Sequence, residues 1–96
     1  MTSIDLVLHR APEIRAVAAA HGARDVRLVG SVARGSDGDE SDIDLLVTFD
    51  SGVGLLNHAK LVLALEQLLG RKVDVASDRG LRPVVRQNLE RDARAL

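Results

Sequence analysis

Three aspartates and a glycine-serine pair carry the chemistry open to this sequence. Asp42 and Asp44 stand two apart in "SDIDLLV", and residues two apart on a strand share one face with their backbones about 6.5–7 Å apart. Two carboxylates that close repel unless a cation lies between them. Oxygen-only ligands suit Mg²⁺ or Mn²⁺, which keep positions open for water and phosphate oxygens. Asp74, at the polar phase of "KVDVA", adds a third carboxylate if its strand is a neighbour, since adjacent strands lie about 4.8 Å apart. Three carboxylates can bridge two metals across an in-line phosphoryl or nucleotidyl displacement. Upstream, Gly30-Ser31 ends an apolar segment and leads into a helical turn. Glycine lets the backbone approach a ligand, a helix N-terminus offers free N–H groups, and Ser31 adds a hydroxyl, which together make a phosphate cradle. Arg34 follows one turn later, within reach of a triphosphate.

Each motif alone has an ordinary reading. A Gly-Ser pair is a turn, Asp-x-Asp is a surface loop, and a lone strand aspartate guards a sheet edge. Their occurrence together and in this order favours the chemical reading. A calcium loop starting at Asp37 is excluded, because its sixth position must be glycine and is Asp42. Asp37, Asp39 and Glu40 read instead as a solvated loop. His9, His21 and His58 are scattered at no metal spacing and read as solvated or capping residues.

The elements that must position these residues follow from period and punctuation. Pro12 to Gly22 opens with Pro-Glu, fills with Ala, Val and Ile, and closes on glycine, as a capped helix does. Asp25 to Val29 reads as a short strand, Gly35 to Ser41 as loop, and Ile43 to Phe49 as a strand apolar on both faces. Leu55 to Leu69 is long enough for four helical turns and ends at Gly70. Its stripe of Leu55, Ala59, Val62, Leu65 and Leu69 leaves Leu56, Leu61, Leu63 and Leu68 outside. That surplus fits either burial between sheet and first helix or a partner-facing surface, as part of an oligomer or a hetero-complex.

Lys72 to Ala76 gives a third strand, with Val73 and Val75 on one face and Asp74 on the other. Pro83 opens a last helix with Val85, Leu89, Ala93 and Leu96 on one side, and Arg86, Glu90 and Arg94 at i, i+4 spacing as a salt-bridge ladder. The order αβαβαβα with short connections predicts a small α/β (α+β) sheet flanked by helices. Residues 1–96 read as a single domain, too short for a second lobe.

Charge is uneven although the net is only −1. No Lys or Arg falls between Arg34 and Lys60, where Asp37, Asp39, Glu40, Asp42, Asp44 and Asp50 gather, while Arg79, Arg82, Arg86, Arg91 and Arg94 crowd the last segment. The average leaves no electrostatic footprint for direct nucleic-acid binding or an anionic membrane. Phe49 is the sole aromatic, so stacking platforms for bases are missing. With no cysteine there is no disulfide framework and no thiolate metal site. No apolar run approaches the roughly 20 residues of a membrane span, and no signal pattern opens the chain, so the expected location is cytoplasmic.

Gly30-Ser31, ten residues, then Asp42-Ile43-Asp44 resembles the signature of the DNA polymerase β-like nucleotidyltransferases. More narrowly, "GSVARG", "SDIDLLV" and "KVDVAS" followed by "LRP" are similar to the minimal nucleotidyltransferases, the MntA-type antitoxins of HEPN/MNT toxin–antitoxin systems. The resemblance covers roughly residues 22 to 90. It implies a small mixed sheet flanked by helices. Asp42 and Asp44 would be the two metal-binding carboxylates and Asp74 the third, with Gly30 and Ser31 on the triphosphate. It also implies AMP transfer from ATP, with Mg²⁺ or Mn²⁺, to a tyrosine hydroxyl of a HEPN ribonuclease toxin, silencing it. Two departures stand out: Val32 replaces a position often charged in the family, and Ala76 to Gly80 is only loosely similar.

Two other classes compete with this expectation. One is a non-catalytic antitoxin that acts by binding and occlusion, suggested by the surplus leucines of Leu55 to Leu69. The other is nucleotidyl transfer to RNA or a small molecule, which rests on fold kinship alone.

Overall fold

The computed structural model describes residues 2–36 and 42–96. The expected solvated loop of Asp37, Asp39 and Glu40 lies outside the described residues.

The chain runs α1 (Ser3–His9), α2 (Ala11–Ala20), β1 (Ala23–Val29), α3 (Gly30–Arg34), β2 (Ile43–Phe49), α4 (Leu55–Leu69), β3 (Val73–Ser77), α5 (Pro83–Arg91) and β4 (Arg94–Ala95). The expected order αβαβαβα is thus extended at both ends. At the start, α1 is set by a capping box: Thr2 Oγ1 accepts from the Asp5 N–H while Asp5 Oδ2 accepts from the Thr2 N–H. At the other end, the last helix stops at Arg91 rather than running on to Leu96. Arg94 and Ala95 instead extend along β1, opposite Leu28 and Arg27, so Arg94 drops out of the expected ladder and only Arg86–Glu90 forms, at 3.0 Å.

Four strands lie in the order β3-β2-β1-β4. β1 and β2 are antiparallel, with Val29 opposite Asp44, while β2 and β3 are parallel, with Asp44 opposite Asp74. The sheet is therefore mixed. The parallel pair needs a crossover, which α4 supplies.

One face of the sheet is the core. Leu28, Ile43, Leu45 and Val47 are fully buried there beneath Val7 of α1, Ile14 of α2, Val32 of α3, and Leu61 and Leu65 of α4. Alternation sends Asp44, Leu46 and Thr48 to the opposite face, beside Val29 and Arg27 of β1 and Asp74 and Ala76 of β3.

Helix α4 keeps its expected limits, and of its expected stripe Leu65 and Leu69 are buried and Val62 packs on the core, while Leu55 and Ala59 give way to Leu61. Leu61, Leu65 and Leu69 are buried, whereas Leu55 is 84% exposed, Leu56 68% and Leu63 61%, and Ala59 is exposed too. The surplus seen in the sequence divides: Leu61 is buried and Leu68 packs on the core, while Leu56 and Leu63 face solvent with Leu55.

Candidate active site

The turn from β1 into α3 is built around Gly30. Val29 is extended, Gly30 takes φ +77°, and the helical turn that follows closes on Gly35 at φ +71°. Gly30 sits against Asp44: a methyl group added to it would meet the Asp44 carboxylate and lie 3.2 Å from both Cβ and Cγ of that side chain. The glycine therefore does more than bend the chain, because its missing side chain is the space Asp44 occupies. Ser31 is half-buried in the first turn of α3, where backbone N–H groups have no partner within the helix. Its carbonyl accepts from the Ser36 N–H at 3.0 Å, which folds the loop back over the turn.

Asp44 and Asp74 lie side by side on the second face of the sheet, with Asp42 two residues before Asp44. Asp42 is exposed just ahead of β2, Asp44 is half-buried, and Asp74 is exposed directly across from Asp44. Burial pushes the Asp44 carboxyl above its usual range, and the negative charges of Asp74 and then Asp42 push it further, against a smaller downward pull from Arg34. The predicted residues are hence electrically coupled through Asp44, as a site that neutralises cations requires. Among the described residues no three acidic or imidazole groups already converge on one point as a preformed metal cage. The donor set, oxygen-only and carrying excess negative charge, fits a hard divalent cation that brings its own waters. Arg34, half-exposed at the end of α3, reaches Asp92 at the end of α5 with 3.9 Å between Nη1 and Oδ2.

A second cluster on this face has no counterpart among the expected site residues. Asp78 Oδ2 accepts from the Thr48 hydroxyl at 2.6 Å and from Arg27 Nη2 at 3.3 Å. Arg27 Nη1 also reaches Glu90 Oε1 at 3.5 Å, and Arg86 Nε donates to the same oxygen at 3.0 Å. The cluster thus ties β1, β2 and the segment after β3 to α5. Asp78 is only 13% exposed. Burial alone would raise its carboxyl, but the Thr48 hydroxyl and the Arg27 guanidinium override it and hold Asp78 below the usual range.

The sign of that shift sets an expectation. The stability carried by ionised Asp78 is present above the ordinary carboxylate value of about 3.9 and is lost as pH falls through its lower folded value. Asp78→Asn should therefore destabilise the protein at pH 7 by about 1–2 kcal/mol, the scale of a charge-assisted hydrogen bond at a partly shielded site. The difference should shrink toward zero near pH 2, as read by urea unfolding at both pH values. One signal for this cluster was legible: Arg27 alternates with Val26 and Leu28 in "DVRLV", and a charged residue in a strand flanked by covering elements needs a partner.

Two of the histidines contact backbone carbonyls. His21 Nδ1 lies 2.9 Å from the Val17 carbonyl, as expected of a capping residue. His58 is neither solvated nor a helix cap: its Nε2 lies 2.7 Å from the Val75 carbonyl of β3, and its ring sits 5.1 Å from that of Phe49. Among the described residues no helix is long and apolar enough to cross a membrane.

Comparison with known proteins gives the family and the fold. Residues 14–96 match the family profile of the nucleotidyltransferase domain. Among curated proteins, the chain is 32% identical over 88 residues to the protein adenylyltransferase MntA of Thermococcus cleftensis, covering 83% of this chain and 89% of that one. Among solved structures, it is 47% identical to one described as a "putative minimal nucleotidyltransferase", with TM-score 0.88 over 100% of this chain and 97% of the other. The fold also matches a Shewanella oneidensis complex of a tri-AMPylated HEPN toxin with an MNT antitoxin. There the TM-score is 0.71 at 18% identity, covering 92% of this chain and 69% of the matched one.

Proposed function

The chain belongs to the minimal nucleotidyltransferases of the nucleotidyltransferase domain family, and from that premise we propose that it is an antitoxin that transfers AMP from ATP to a tyrosine hydroxyl of a HEPN-type toxin. The observation that carries the reading is the crowding of Asp44 by Asp42 and Asp74 on a face that also presents the Gly30-Ser31 turn. The relative of known structure whose toxin bears AMP supports the choice of acceptor class. A location in the cytoplasm follows from that partner.

Asp42 and Asp44, with Asp74 across the strand pair, would hold Mg²⁺ or Mn²⁺; a bound cation would neutralise charge on the triphosphate and lower the pKa of the incoming hydroxyl. The chain's own residues do the rest. Gly30 admits the phosphates close to the backbone, and the free amides of α3 with the Ser31 hydroxyl orient them. Arg34 offsets negative charge that builds on the departing pyrophosphate. Asp74, exposed and opposite Asp44, would accept the tyrosine proton. The bond formed joins the tyrosine oxygen to the α-phosphorus, and the bond broken frees pyrophosphate.

The test is incubation with labelled ATP, Mg²⁺ and the cognate toxin. Label is expected on a toxin tyrosine, and none with Asp42→Ala or Asp44→Ala. An unlabelled toxin in the presence of the unmodified antitoxin would overturn the reading.

Occlusion of the toxin without chemistry is the second reading, favoured by the exposed ridge of Leu55, Leu56 and Leu63 on α4. The two separate cleanly. If Asp44→Ala still binds the toxin but no longer protects against it, occlusion alone is insufficient.

A further inference from the structure

We propose that His58 and Glu66 of α4 are positioning residues that hold Asp74 in register with Asp44 from the outer edge of β3. The inference rests on the reading of Asp74 as a third carboxylate of a nucleotidyltransferase site.

β3 is an edge strand, with β2 on one side only. In a parallel strand the N–H and C=O of one residue point the same way and alternate residues point oppositely. The Ile43 N–H donates to the Lys72 carbonyl, and the Asp78 N–H donates to the Val47 carbonyl, both at 2.9 Å. Residues 72, 74, 76 and 78 therefore turn their backbone groups toward β2, and Val73, Val75 and Ser77 turn theirs outward. An outward row of this kind is ordinarily left to water or to another strand.

Here α4 occupies it. Glu66 Oε2 accepts from the Val73 N–H at 3.2 Å, and His58 Nε2, carrying its proton, donates to the Val75 carbonyl at 2.7 Å. These two backbone groups flank Asp74 on either side. The Asp74 carboxylate itself has no hydrogen bond among the described residues. Its position thus comes from the backbone alone, and the outer side of that backbone is held by two side chains of a helix anchored through Leu61, Leu65 and Leu69.

Two substitutions at His58 separate donor from ring. His58→Phe keeps a ring against Phe49 and loses the donor, while His58→Gln keeps a donor at nearly the Nε2 position and loses the ring. The readout is the Mn²⁺ dissociation constant of the protein alone, without nucleotide or toxin, measured by electron paramagnetic resonance beside the thermal midpoint. His58→Phe is expected to weaken Mn²⁺ binding roughly tenfold, the scale of losing an outer partner of a metal ligand, with His58→Gln restoring most of it although its melting point is no higher. Glu66→Leu and Glu66→Gln should repeat the pattern from the other side, and they decide the matter if His58→Phe does not fold. Equal Mn²⁺ affinity in the donor and non-donor variants would overturn the proposal. If Asp74→Ala leaves Mn²⁺ affinity unchanged, the third-carboxylate reading falls and takes this proposal with it. Loss of affinity in Asp74→Ala beside donor-independent His58 and Glu66 variants would overturn the positioning role alone.

Discussion

Asp44→Asn is expected to lower adenylyl transfer by about a thousandfold while making the metal-free protein more stable at neutral pH. The first effect follows from removing the carboxylate that both neighbours press upon, since a bound metal contributes several kcal/mol to the transition state and each 1.36 kcal/mol is a factor of ten. The second follows from sign. The folded pKa of Asp44 lies above its unfolded value because of burial and the charges of Asp74 and Asp42. Ionising it therefore costs the folded state more than the unfolded one. That cost appears as pH rises from the ordinary carboxylate range through the raised folded value, and it is fully present above it. An amide carries no such cost.

Thermal melts at pH 3 and pH 7 should show the wild type and the variant close together in acid and the variant ahead at neutrality. Adding Mg²⁺ should raise the wild-type midpoint and leave that of Asp44→Asn nearly unmoved, because only a ligand that binds the folded form stabilises it. A variant that is both inactive and less stable at pH 7 would contradict the repulsion described for this site.

Gly30→Ala is the second large effect. Two penalties meet at this position: an L-residue at φ +77°, and a methyl group driven into the Asp44 carboxylate. The first alone costs of order 1–3 kcal/mol. The second cannot be relieved without moving Asp44, whose strand is locked between β1 and β3. Gly35→Ala isolates the terms, because Gly35 has nearly the same φ, +71°, with no atom within 4 Å of the added methyl group. Both variants should melt lower than the wild type, but only Gly30→Ala should lose about two orders of magnitude or more in adenylyl transfer, the loss expected when a reacting geometry is displaced by about 1 Å. Equal activity in the two variants would show that Gly30 serves the turn and nothing else.

Much of this arrangement was legible before any coordinates. β2 and α4 keep the limits that period and punctuation give them, Ile43–Phe49 and Leu55–Leu69, because a long apolar strand and a glycine-terminated helix are strong local signals. Of the six residues that type and spacing single out, Gly30 lies against Asp44, and Arg34, Asp42 and Asp74 act on its charge.

What escaped was set by tertiary contact. The two residues of β4 become a strand only because β1 offers them an edge. Period alone could not decide whether Leu55 and Ala59 or Leu61 would join Leu65 and Leu69 against the sheet. His58 looked solvated because its partner is a backbone carbonyl seventeen positions away, which no residue pattern announces. The helix Ser3–His9 is a different kind of miss: its Thr2-x-x-Asp5 box stood in the sequence, but the segment is too short to show a period.

The parallel pairing of β2 with β3 also sets a timetable. Asp44 and Asp74 are partners across thirty positions of chain, whereas Val29 and Asp44 are partners across fifteen. Closing the longer loop costs more entropy, and it can happen only after the crossover helix has been made and docked. The β1–β2 pair, with its glycine turn, Asp42 and Asp44, can therefore form before β3 docks beside it and brings Asp74 across from Asp44. The loop that joins Asp74 to Asp44 is thus the costly one, and a shorter crossover that kept the register would be expected to speed folding.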